Sequence, residues 1–141
     1  MAVNIKAYQS IQQELDTKKV TLVAVSKTKP INDILALYDL GQRDFGENYV
    51  QELVEKQKQL PADIRWHFIG HLQRNKVKEI AAFVHLIHGV DSRRLLAEIN
   101  KQAIRCNRII PVLLQVHIAR EETKFGLDEA ELREIINNLS G

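Results

Sequence analysis

Apolar positions along this chain switch between two periods. Residues 3 to 18 place Val3, Ile5, Tyr8, Ile11 and Leu15 among Gln, Lys and Glu, a helical spacing that predicts an N-terminal helix. The next stretch, VTLVAVSKTKP from Val20 to Pro30, opens with a short run rich in Val, Leu and Ala. A run this short and this apolar suits a strand buried on both faces, as in a parallel sheet. Pro30 cannot continue a ladder but fits the first turn of a helix, so strand one stops before it.

The alternation then repeats. A helix is expected from about Ile31 to Tyr38, closed by Gly41, and a short strand over Arg43 to Asn48. Tyr49 to Gln59 reads as a helix broken by Pro61, Ile64 to Gly70 as strand three, and Gln73 to Phe83 as a basic helix. Val84 to Val90 is strand four, and Asp91 or Ser92 caps a helix reaching about Cys106. Ile109 to Ile118 is strand five, and Asp128 to Leu139 a last helix. The strands begin near residues 21, 43, 65, 85 and 110, a spacing that predicts βα units in a parallel sheet with right-handed crossovers. Without a glycine-rich dinucleotide fingerprint, the fold class expected is α/β, a (β/α) TIM-type barrel, in preference to a doubly wound open sheet that shares the same alternation. The barrel is incomplete, because eight units need on the order of 250 residues and this chain offers five.

At 141 residues the chain is expected to form one domain over residues 1–141. Hydrophobic content of 45% and charged content of 27% are ordinary for a globular protein. A net charge of +2 argues for no nucleic-acid partner. Cys106 is the single cysteine, which excludes an internal disulfide framework and fits a reducing cytoplasm. The start carries no secretory pattern and no apolar run approaches 18 residues, so neither export nor a membrane partner is expected.

The candidate chemistry gathers at strand ends. Lys27 stands at the mouth of the first βα loop, where parallel α/β folds keep their active sites. Thr21, Val23, Val25 and Lys27 share one face of strand one, which makes Lys27 the topmost inward layer of a barrel. From a reference pKa near 10.4, roughly one lysine in two thousand is neutral at pH 7, and burial at the mouth would raise that fraction. A solvated loop lysine is the bland alternative. Strand two ends in Gly46-Glu47-Asn48, where glycine permits close approach and Asn48 offers an amide, or where the chain merely turns. His67 shares the inward face of strand three with Ile69, opposite Trp66 and Phe68; a packed core histidine is the alternative to a functional one. The GHLQRNK loop, Gly70 to Lys76, opens a helix whose N-terminus can hold an anion. Lys124 is a second lysine in a βα loop, and His71, His85, His88 and His117 show no metal-ligand spacing.

Four motifs in this order and spacing carry a family resemblance. AVSKTKP (Ala24 to Pro30), FGENYVQE (Phe45 to Glu52), WHFIGHLQRNK (Trp66 to Lys76) and ETKFG (Glu122 to Gly126) run through the chain. Together they resemble the pyridoxal phosphate homeostasis proteins, the YggS-like family. The resemblance implies a barrel like the N-terminal domain of alanine racemase, with pyridoxal 5'-phosphate (PLP) held as a Schiff base on Lys27. It also implies cofactor-binding roles for Asn48 and His67, no metal, and a carrier or buffer of PLP in the cytoplasm with no established turnover and so no catalytic residues. PLP-dependent apo-enzymes become candidate partners.

Two departures from the family pattern stand out. Strand five has His117 where many members have asparagine, and the family's late phosphate-holding motifs, Met-Ser and an Arg-Ile-Gly-rich segment, do not occur in this sequence. The chain is therefore expected to be the N-terminal part of a longer barrel, with apolar sheet edges open to oligomerisation. Two other readings are a PLP-dependent enzyme of racemase or decarboxylase type, which needs an opposing acid/base, and a fragment that binds an anionic partner through Arg74, Lys76 and Lys78 without cofactor.

Overall fold

The structure, a computed structural model, describes residues 3–118 and 126–139. Helix α1 (Ile5–Thr17) starts at Asn4, whose side chain accepts from the Ala7 amide at 3.0 Å. Strand β1 (Ala24–Val25) leads past Pro30 into α2 (Ile31–Asp39). Gly41 ends α2 at φ +105, with its amide on the Tyr38 carbonyl and the Gln42 amide on that of Leu37. This is a Schellman motif, open to glycine because a Cβ strains in that conformation. Gln42 is then buried, donating to the Leu22 and Asp44 carbonyls and accepting from Tyr8 of α1.

Strand β2 (Asp44–Glu47), α3 (Val50–Gln59) and β3 (Arg65–Phe68) follow. After a 3-10 turn over Arg74–Lys76, α4 (Val77–Ile80) is only four residues long. Strand β4 (Leu86–Val90), α5 (Arg93–Arg105), β5 (Val112–Leu114) and α6 (Glu129–Asn137) complete the described chain. Ser92, one of the two expected caps, accepts from the Leu95 amide. Asp128 and Glu131 form a reciprocal capping box on α6.

The five strands lie in the order β1-β2-β3-β4-β5, every pair parallel. This is the expected α/β fold, an incomplete TIM-type barrel with flanking helices. Three elements are shorter than the sequence predicts. β1 keeps two residues of the run from Val20, β5 keeps three of the run from Ile109, and the basic helix keeps one α-turn. Strands β1 and β5 have a neighbour on one side only, so less of each run is held in a ladder. The single turn of α4 does not supply the helix N-terminus expected to hold an anion.

The core sits between the sheet and its helices. Phe45, Trp66, Phe68 and Ile87 from the strands pack with Ile34, Leu53, Ile80, Leu95 and Ile99 from the helices, all almost completely buried. Each such side chain contributes roughly 1.5–3 kcal/mol relative to exposure. The other sheet face is the one a closed barrel would turn inward. Val25, on β1, is 54% exposed there, because the strands that close a barrel have no counterpart among the described residues.

Candidate functional site

The register of the first three strands places the predicted site residues. Val25 pairs with Gly46 and Gly46 with His67, while the Ser26 amide donates to Gly46 and the Ile69 amide to Glu47, each at 2.9 Å. Lys27 and Asn48 therefore stand at the same level, just past the C-terminal ends of adjacent strands. His67 lies one inward layer deeper. Lys27 is exposed, so the burial expected of it at the mouth is absent. Asn48 is half-buried, packed so closely on Gly70 that a Cβ there would meet the Asn48 carbonyl oxygen at 2.5 Å. Gly46 has the close approach expected of it: a Cβ would meet Ile69 at 3.1 Å and Val23 at 3.3 Å. Val23, Gly46 and Ile69 thus pack together as an apolar patch on this face of the sheet.

Ser26 turns the other way, into a buried polar network. Its hydroxyl donates to Glu47, which is fully buried, and the Lys56 ammonium donates to the same Glu47 oxygen at 2.9 Å. Lys56 also donates to Glu52 and to the Ser26 carbonyl, both at 2.6 Å, which engages all three of its protons. Burial pushes the Glu47 carboxyl up from its ordinary value, opposed by its bonds to Ser26 and Lys56. Its second oxygen has no partner among the described residues.

His67 belongs to a chain of hydrogen bonds on the face opposite the helices. Its Nε2 lies 2.9 Å from Asp44 and its Nδ1 2.9 Å from His88 Nε2. Arg65 holds Asp44 through two bonds, at 2.9 and 2.7 Å. Burial pushes Asp44 up, but its bonds to Arg65 and His67 outweigh it and hold the carboxyl below its ordinary value. Burial lowers His85 and His88, with the neighbouring His67 adding to both shifts. Asp44, His67 and His85 offer ligand atoms within 4.8 Å of one another, a proximity the spacing of histidines along the chain does not show. Asp44 is committed to Arg65, and both His67 nitrogens already have partners.

Other expectations fall away from this centre. A cavity of about 610 Å³ between α3 and the 73–79 segment is lined in part by Asn48, Tyr49, His71 and Lys76, but by neither Lys27 nor His67. Lys124 and most of the ETKFG motif lie outside the described residues. Sequence reasoning missed Glu47, Glu52 and Lys56. Their signal was a carboxylate closing a short strand, followed by a Glu-Lys pair four residues apart on the next helix.

Five parallel strands with helices on one face, and a lysine at the mouth of the first βα loop, define the opening half of a barrel of the alanine racemase type. The model of the family "Alanine racemase, N-terminal domain" matches residues 4–141, and the chain belongs to that family. Among curated proteins it is similar to the pyridoxal phosphate homeostasis proteins, the group its motifs resemble. It is 38% identical to that of Pasteurella multocida over 93% of this chain and 60% of the relative. With the human protein the identity is 38% over 99% of this chain and 55% of the relative, and with that of Aquifex aeolicus 43% over 81% and 50%. The chain thus spans between half and three-fifths of these relatives. Among solved structures it resembles PipY of Synechococcus elongatus without PLP at a TM-score of 0.86, with 36% identity over 94% of this chain and 62% of that one. The PLP-bound form of PipY matches at a TM-score of 0.74 and 38% identity, over 83% and 55%.

Proposed function

We propose that this chain carries the amine half of a PLP site, and that the protein holds the cofactor for intracellular homeostasis without turning over a substrate. The observation that carries this reading is the register that sets Lys27 and Asn48 at one level past the ends of adjacent strands, beside the apolar Val23–Gly46–Ile69 patch. That donor set fits an aromatic aldehyde: an amine to engage the carbonyl, an amide for a ring substituent, and an apolar surface for the ring. Lys27 would hold PLP as a Schiff base, and the cofactor would supply the electrophilic aldehyde carbon.

The remaining roles belong to the chain's own residues. Asn48, braced by Gly70, orients the ring edge. His67 acts as a wall one layer below, because both its nitrogens are engaged by Asp44 and His88. Residues 1–141 serve as one domain, the first five βα units of a (β/α)8 barrel. Phosphate sites on such barrels come from the loops after strands seven and eight, so this chain alone offers the amine without the clamp. The names of the relatives and the PLP-bound form of PipY support cofactor binding, and none of those names describes an enzyme. No helix among the described residues is long and apolar enough to cross a membrane, and the lone Cys106 fits a cytoplasmic carrier serving PLP-dependent apo-enzymes.

Titration of the chain with PLP, followed by visible absorbance, tests the reading. A weak adduct that washes out on dialysis, and that Lys27→Ala abolishes, is expected. An adduct of undiminished strength in Lys27→Ala would overturn the assignment, and racemisation of amino acids by the loaded chain would overturn the non-catalytic part.

A further inference from the structure

We propose that Glu52 and Lys56, on α3, are positioning residues that clamp the backbone on both sides of Lys27 and so fix where its amine is presented; this rests on the reading of Lys27 as the PLP-binding amine. Lys27 itself is exposed, and an exposed lysine on a free loop would sweep a large volume. Its two neighbours are held. The Ser26 carbonyl accepts from the buried Lys56 ammonium at 2.6 Å, and the Ser26 amide donates to Gly46. On the other side the Thr28 amide donates to Glu52 Oε2 at 2.7 Å, the same oxygen that accepts from Lys56.

Thr28 makes the clamp more than a chance contact. Its φ is +63, a left-handed conformation that is strained in a β-branched residue. A charge-assisted bond from the Thr28 amide to Glu52 offsets that strain. The Lys29 amide closes the turn on the Ser26 carbonyl at 3.1 Å. Strand end, turn and helix are thereby joined through one ammonium and two carboxylates. Backbone freedom at Lys27 is removed, and only side-chain rotation remains for the amine to find a carbonyl carbon.

A simpler role is that the buried Glu47–Lys56 pair merely pins α3 to the sheet. Glu52 separates the two, because it is partly exposed and touches the loop directly, while Lys56 keeps Glu47 in its absence. Three variants of the full chain are compared: Glu52→Ala, Glu52→Gln, which retains an acceptor, and Glu55→Ala on the same helix. Amide hydrogen exchange at Thr28 and the rate of reductive methylation at Lys27 are measured without cofactor, alongside thermal unfolding and the initial rate of PLP adduct formation.

In Glu52→Ala, Thr28 exchange should accelerate about tenfold or more, as expected for loss of a charge-assisted hydrogen bond. The relative methylation rate of Lys27 should change, and adduct formation should slow several-fold, with little loss of thermal stability. Glu52→Gln should recover part of each effect, and Glu55→Ala should match the parent. Unchanged Thr28 exchange in Glu52→Ala overturns the clamp, as does slowing that merely follows the unfolded fraction. If Lys27→Ala leaves adduct formation intact, the functional reading fails instead, and Thr28 exchange still decides whether the clamp exists.

Discussion

Glu47 is fully buried beside a lysine, and neither residue tolerates losing the other. Lys56→Met would leave a desolvated carboxylate with only the Ser26 hydroxyl for support. Breaking a buried pair this way costs roughly 3–5 kcal/mol, so the urea midpoint should fall sharply, with the loss reduced by adding Glu47→Gln. The histidines act through pH. His85 and His88 sit below their ordinary values, so on acidification the unfolded chain takes up protons first. Their contribution is present above about pH 6.5 and is lost as pH falls through the folded values. Urea midpoints at pH 7.5 and 5.5 should therefore differ, and His88→Gln should narrow the gap; a gap that persists unchanged would assign the acid loss elsewhere.

At the level of elements, caps and packing set where each helix begins. Ser92→Ala removes the acceptor for the Leu95 amide and should cost about 1 kcal/mol, read from chemical denaturation. The sequence made the elements legible because two local signals agreed: apolar period, and punctuation by Pro30, Gly41, Pro61 and Ser92. It overran β1 and β5, since an apolar run does not reveal which of its residues will find a ladder partner. It placed Lys27 on the inward face through alternation with Val25, and the observed register keeps Val25 opposite Gly46. It could not place Lys56 beneath Ser26, or bring His85 to Asp44, because those contacts join residues 30 and 41 apart through packing alone. The exposure of Lys27 was likewise invisible, since burial at a barrel mouth depends on strands that are not neighbours in sequence.

For the whole molecule, the open sheet governs behaviour in solution. Val25 and Leu113 leave about half of their surface exposed, one on each edge strand. The end of β5 is partly covered, because Leu127 pairs with Val116 and its amide donates to Gln115. No such cover protects β1 among the described residues. An apolar edge of this kind templates pairing with another chain. Sedimentation of the 141-residue chain at low micromolar concentration should show self-association. A compact monomer that unfolds cooperatively would show that the half-barrel closes its own core.

On the function proposed, one lysine of this chain, Lys27, meets the cofactor's aldehyde. Borohydride reduction of the chain mixed with PLP, followed by peptide mapping of the fixed label, tests this. Lys27, held between a clamped Ser26 and a clamped Thr28, should carry most of it. Label spread evenly over Lys27, Lys76 and Lys124 would contradict that role, because it would mean that no lysine is singled out by the fold.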